Sequence, residues 1–380
     1  MTGFTRVTAL GAAGLLAFAC GGQLSGNNSS SSSNSTPITI DLIASFSGQN
    51  SDLGNWNYNG VKLAVDQANA KGGVNGRKLE INKLDDQGQP TVGTDLARRA
   101  QADKASMVYG SDLSSVTLAM IPILTAAKIP EITSGQAPAI LQQGSEYIFL
   151  DSTTSGVFDQ TLADYLIQKQ NLTSIAMITN NGAYGKGEHD SFLAELTKLG
   201  VKPTIDKIVT PDQKDLTSVL TEIRGTSPKV LFVGAEEVET GLIAKQARSL
   251  GISATFAGGA PMGTPTYVST AGADVAEGTI MTSPYLSNDA NAKTKAFADA
   301  YRKAYGQDPE LHGAKANDGM NIFIQAMKKT PNDLSGPKLI SAVRSLTYDG
   351  LLGTFKYDQL GLGLHATQMG TIKGGKVVPL

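Results

Sequence analysis

Short apolar runs separated by stretches of helical length, with glycine, serine or asparagine at most junctions, constrain this chain more than any other feature. Residues 38–44 (ITIDLIA) form a β-rich run that ends in Ser45-Phe46-Ser47-Gly48. Val61, Ala64, Val65 and Ala68 then recur at helical spacing, and Gly72-Gly73 stops that segment before a strand over 78–84. A helix over 90–103, a strand over 106–109, an apolar helix after Ser114 and a second short strand entered at Pro130 continue the alternation. It resumes beyond residue 174, where strands over 174–179, 203–209, 229–234 and 254–259 are separated by helices over 186–199, 216–224 and 241–250. Strands joined by helices of this length predict parallel sheets with right-handed crossovers, an α/β fold. There are too many units for one comfortable sheet, so two doubly wound lobes are expected.

Two extended stretches, 146–154 and 278–285, interrupt the series. After the second come three helices near 292–305, 313–329 and 336–346, and then a β-like tail at 353–358 and 367–372 around a Gly-rich turn. Crossings near Asp151, Pro284 and Gly353 would make a three-stranded hinge. The expected division is a first lobe of 38–152 plus 284–352 and a second of 153–283 plus 353–380.

The beginning of the chain has a different texture. Arg6, an apolar run over 9–19 and Ala17-Phe18-Ala19-Cys20 make an export signal too short to span a bilayer, for which about 20 apolar residues are needed. The pattern over 1–20 resembles a bacterial lipoprotein signal, in which Cys20 becomes the lipidated first residue; a plain secretory signal is the alternative. Residues 21–37, rich in Gly, Ser and Asn, bury nothing and form a flexible tether. Cys20 is the only cysteine, so neither an internal disulfide nor a cysteine metal site is available.

Several chemistries are excluded. The net charge of −2, from 32 basic and 34 acidic residues with no basic block, argues against nucleic acid as a partner. His189, His312 and His365 have no neighbours at metal-ligand spacing. No nucleophile elbow, phosphate loop or dinucleotide fingerprint stands at a strand–helix junction, so no cofactor is called for. Asp85-Asp86 and Glu236-Glu237 are acidic pairs, but adjacent side chains point apart and do not share a proton.

What remains is the run from Met107 to Thr117 (MVYGSDLSSVT) and its continuation at Pro130-Glu131-Ile132-Thr133-Ser134-Gly135. Each reads as a strand entering a Gly/Ser turn. In a parallel sheet such turns lie at the carboxyl ends of the strands, where free N–H groups favour a small anion such as a carboxylate. A helix N-cap is the other reading of Ser114 or Ser115.

From residue 38 onwards the chain resembles the type I periplasmic solute-binding proteins of ABC importers, particularly the branched-chain amino-acid-binding group. The resemblance rests on Ala70-Lys71-Gly72-Gly73-Val74-Asn75-Gly76-Arg77-Lys78-Leu79, Asp85-Asp86, Tyr184-Gly185-Lys186-Gly187 and Lys245-Gln246-Ala247-Arg248-Ser249-Leu250-Gly251. It implies an exported, lipid-anchored receptor that traps a small amino acid or related carboxylate between closing lobes and delivers it to a membrane permease. A sensing module for a membrane receptor and an exported hydrolase are the rival readings. The resemblance assigns the ligand carboxylate to Ser114, with Gly135 and Ala137 in the next turn; Ala137 stands where a threonine is common. Tyr184 would cover the ligand from the second lobe. The family's acidic residue after the strand at 254–259 aligns with Ala260 or its neighbours, where no carboxylate is present. Glu236 would take over the cation, unless the ligand lacks an amino group. Leu53 and Trp56 would line a side-chain subsite. Candidate ligands are neutral amino acids, small amides and amino-free acids such as aromatic carboxylates.

Overall fold

The computed structural model describes Gly3, residues 36–287 and residues 291–380. The export signal, Cys20 and nearly all of the tether lie outside the described residues. Among the described residues no helix is long and apolar enough to cross a membrane.

The first sheet is built from β1 (Ile38–Ala44), β2 (Leu79–Asp85), β3 (Val108–Gly110), β4 (Glu131–Thr133) and β5 (Ile148–Leu150), all parallel in the order β2-β1-β3-β4-β5. Helices α1 (Ser51–Ala70), α2 (Pro90–Ala102) and α3 (Ser114–Ala127) connect them. The alternation in β1 sorts its side chains between two cores. Ile38, Ile40 and Leu42 face one core, while Ile43 joins Leu84, Ala97 and Val116 in the other.

After β5 the chain crosses to the second lobe. There α4 (Ser155–Ala163), β6 (Ile175–Asn180), α5 (Ala183–Lys198), β7 (Ile205–Val209), α6 (Thr217–Gly225), β8 (Val230–Gly234), α7 (Glu237–Ser249), β9 (Thr255–Gly258), α8 (Pro265–Ala271), α9 (Ala273–Ala276) and β10 (Ile280–Ser283) follow one another. Helix α4 was not expected, because Ser155, Gly156, Asp159 and Thr161 are weak helix formers; burial of Phe158 and Leu162 supports it instead.

The chain then returns to the first lobe as α10 (Ala292–Tyr305), α11 (Leu311–Lys329) and α12 (Gly336–Ser345), followed by a short hairpin of β11 (Tyr348–Asp349) and β12 (Thr354–Phe355). The tail corrects the expected boundary. Phe355, Tyr357 and Leu364 sit in the first core, the Tyr357 ring lies edge-on to Phe149 at 5.1 Å, and its hydroxyl donates to the Leu150 carbonyl at 2.7 Å. The third crossing therefore follows Leu364 rather than Gly353. Strand β13 (Gln368–Lys373) then pairs antiparallel with β10, and an unanticipated strand β14 (Lys376–Pro379) covers its edge. The second sheet runs β14-β13-β10-β9-β8-β6-β7.

Helices α1 and α11 press together over the first core at two glycines. A Cβ on Gly60 would stand 2.1 Å from the Gly313 carbonyl oxygen, and Asn317 Nδ2 donates to the Gly60 carbonyl at 3.1 Å. Gly60→Ala gains about 1 kcal/mol of helix propensity but forces two backbones apart. The expected net result is destabilisation by about 1–3 kcal/mol, read as a lower denaturation midpoint at unchanged slope.

Candidate functional site

Both sheets turn the carboxyl ends of their strands towards one cleft, and polar loops from each lobe meet there. Thr266 Oγ1 in α8 donates to Asp52 Oδ2 in α1 at 2.7 Å, and His312 in α11 lies 3.4 Å from Glu237 in α7. Ser155 N also donates to the Gln136 carbonyl at 3.0 Å, beside the first crossing.

In the first lobe, the helix N-cap is Leu113, whose side chain makes no capping bond. This corrects the N-cap reading of Ser114 and Ser115. Ser114, buried in the first turn of α3, instead accepts the N–H groups of Gln136 and Ala137, each at 3.2 Å. With both lone pairs so engaged, the Ser114 O–H proton is left to donate elsewhere. Gly135 is required by proximity: a Cβ there would lie 2.8 Å from Ile140 Cδ1 and 3.2 Å from Ser114 Cα. Ser114, Gly135 and Ala137 are thus brought together where two strand-to-helix turns meet.

Behind these turns lies an acidic network that the sequence did not reveal. Asp85 and Asp86 do point apart: Asp85 accepts from Phe46 N and Ser47 Oγ, whereas Asp86 turns inward to Ser45 Oγ, Ser111 Oγ and Gly88 N. Asp112 Oδ1 accepts from Ser45 N at 2.8 Å, while its Oδ2 is buried without a protein partner. Burial, reinforced by the Asp86 charge, pushes Asp112 up to about 7.

On the second-lobe side, Tyr184 is the second residue of α5 and only 4% exposed. Its hydroxyl lies beside the Glu188 carboxylate without closing a well-formed hydrogen bond. Glu188 is fully buried, and desolvation pushes it up to about 8. Glu236 is the N-cap of α7; burial first, then the charges of Glu237, Glu239, Asp112 and Glu188, hold its carboxyl well above the usual range. The Glu236 charge in turn helps to raise the Tyr184 hydroxyl, after burial and Glu188.

Both apolar candidates touch the core around Ile43, Leu84 and Val116, Leu53 within it and Trp56 half-buried at its edge. Trp56 stacks on the His312 imidazole at 5.8 Å and 16°, close to the contact with Glu237. Leu53 is 2% exposed and packs with Ile43, Leu84 and Val116, which corrects its assignment to a side-chain subsite: the α1 face bearing it turns into the core. Glu188 was missed although one signal was available. It follows Tyr184 by four residues and precedes Phe192 by four, a polar residue on the buried stripe of α5.

Two α/β lobes, three crossings and a shared polar cleft define a two-lobed solute-binding protein. A profile of the periplasmic binding protein family matches residues 37–376, and the chain belongs to that family of extracytoplasmic solute-binding proteins. The Leu/Ile/Val-binding protein BraC3 of Rhizobium johnstonii is 30% identical over 266 residues, covering 69% of this chain and 71% of the relative. Among solved structures, the branched-chain amino acid transporter substrate binding protein LivJ of Streptococcus pneumoniae, in complex with isoleucine, is similar with a TM-score of 0.83 at 25% identity, over 90% of this chain and 98% of that one. An ABC transporter solute binding protein from R. palustris, in complex with benzoate, shares the fold with a TM-score of 0.83 at 22% identity, over 91% and 96% of the two chains. These homologues are solute-binding proteins, not enzymes.

The raised carboxyls set a pH dependence. A carboxyl whose folded pKa exceeds its ordinary value favours the folded state when protonated, so its stabilisation is complete below the ordinary value and is lost as pH rises through the folded one. For Asp112 that loss runs from its ordinary 3.8 to about 7. Asp112→Asn keeps an acceptor for Ser45 N and removes the titration. Melting curves of the ligand-free protein should show the variant gaining on the wild type as pH rises through this window; a constant difference would exclude Asp112 as the source.

Proposed function

We propose that this protein is the receptor of an ABC importer, which captures a small amino acid or related carboxylate between its lobes and delivers it to a membrane permease. The observation that carries the reading is the Ser114 hydroxyl, which holds the facing turn through two N–H groups and keeps its own proton for an acceptor in the cleft. It stands at the start of a 14-residue helix with no side-chain cap, so the helix terminus favours an anion at the same point. Gly135 and Ala137 shape the turn around it, Tyr184 covers the ligand from the opposite lobe, Trp56 flanks the cleft, and Glu236 receives the ammonium end. Isoleucine in one neighbour and benzoate in another support a carboxylate as the common element.

In this mechanism the ligand binds the closed arrangement better than the open one and shifts the population by that difference. The Thr266–Asp52 hydrogen bond and the His312–Glu237 pair form across the same closure. The receptor reaches the outer face of the membrane by export of the 1–20 signal, and lipid on Cys20 tethers it near the permease.

Ser114→Ala removes the donor to the ligand carboxylate and weakens binding of the cognate ligand by about 1–3 kcal/mol. Isothermal titration calorimetry tests this, and unchanged affinity would remove Ser114 from the site.

A further inference from the structure

The acidic groups at the cleft are not balanced by the protein. Asp151 and Glu237 are faced by Lys315 and His312. By contrast, the charged groups facing Asp112, Glu188, Asp159 and Glu236 are carboxylates. Lys198 and Lys186, the cations on α5, are engaged on its outer face with Glu195 and Asp190.

Two poles of unmet acceptors result. In the second lobe, Glu188 and Asp159 are fully buried, and all four of their carboxylate oxygens lack a well-formed hydrogen bond. The Tyr184 hydroxyl, Thr179 Oγ1 and Ser155 Oγ are buried nearby in the same condition. Two glycines make room for this pole. A Cβ on Gly234 would lie 2.8 Å from Glu188 Cβ and 2.9 Å from Thr179 Cγ2; one on Gly259 would lie 2.7 and 2.8 Å from the two Glu188 oxygens and 2.8 Å from the Tyr184 hydroxyl. Gly259 opens the loop after β9, which contributes no carboxylate of its own, and Glu188 reaches its backbone from α5. The second pole joins the half-buried Glu236, raised in part by the Asp112 charge, to Asp112 itself, whose buried Oδ2 is unpartnered.

Ionised carboxylates held out of water with few donors are costly, and a positive group from the ligand relieves that cost at both poles. A neutral amino acid brings one ammonium, already balanced by its own carboxylate. We propose that the ligand is an amino acid with a cationic side chain, its two positive groups divided between the Glu188–Tyr184 pole and the Glu236–Asp112 pole. This rests on the receptor reading above, with Ser114 taking the carboxylate.

Calorimetry on the intact protein with arginine, citrulline, isoleucine and benzoate tests it, because citrulline matches arginine in shape but not in side-chain charge. Arginine should bind at least tenfold tighter than citrulline or isoleucine. Glu188→Gln and Glu236→Gln should each weaken arginine at least tenfold, while thermal melting shows each ligand-free variant at least as stable as the wild type, since glutamine keeps the side-chain shape and removes the ionisable carboxyl. Citrulline or isoleucine binding as well as arginine would overturn the cationic class and leave the receptor intact. Benzoate binding alone would overturn both ammonium poles but keep a carboxylate receptor. Unchanged arginine affinity in both variants would show a proton-sharing carboxylate cluster only, and binding of none of the four would overturn this inference together with the carboxylate reading on which it rests.

Discussion

The close crossing of α1 and α11 is the constraint on which much else depends. Strand β1 is apolar on both faces, and one face is covered only when a segment more than two hundred residues later returns to lie on α1. Glycine at 60 lets the two backbones approach until a side chain there would clash with the Gly313 carbonyl. The same approach delivers the polar side of α11 to the cleft and hinge. His312 reaches Trp56 and Glu237, Lys315 donates to the Ser134 carbonyl at 2.8 Å, and Asp318 accepts Leu352 N at 3.0 Å. The helix that completes the first core therefore also brings Lys315 and His312 up to Asp151 and Glu237.

Where α11 does not reach, the cleft stays acidic. The first-lobe carboxylates are partly compensated by hydroxyl and backbone donors, as Asp86 is by Ser45, Ser111 and Gly88. In the second-lobe pair the Tyr184 hydroxyl and the Gly259 backbone offset only part of the burial, which moves Glu188 up to about 8. A binding protein can carry this strain because its ligand relieves it only in the closed form, which ties ligand charge to closure.

Much of the architecture was legible in order along the chain. The strands from 38 to 134 and from 174 to 259 stand where alternation of apolar runs and helical spacing put them, because each such element announces itself through its own periodicity. Elements that failed this test were short or weak in propensity: α4, α8, α9 and β14 are held by what they pack against. The hairpin at 348–355 was misassigned between lobes for the same reason, since a β-like pattern does not say which core will take Phe355 and Tyr357. At the candidate site, the Gly/Ser turns at Ser114 and Gly135 were readable from local pattern, Ala137, Tyr184 and Glu236 from family likeness, and the structure joins Ser114 to the turn of Gly135 and Ala137. Leu53 looked like a pocket residue only because apolar residues near a βα turn serve cores and pockets alike.

By itself, then, the sequence determined the class of the fold and the strand-to-helix turn that carries Ser114, both of which depend on residues close in the chain. Tertiary structure alone decided the charge of the cleft. Glu188, Asp159, Glu236 and Asp112 come from α5, α4, the start of α7 and the loop before α3, and each is an ordinary acidic residue in its own segment. Only packing removes water and counter-charges from all of them together, and desolvation and repulsion are properties of that assembly rather than of any one residue.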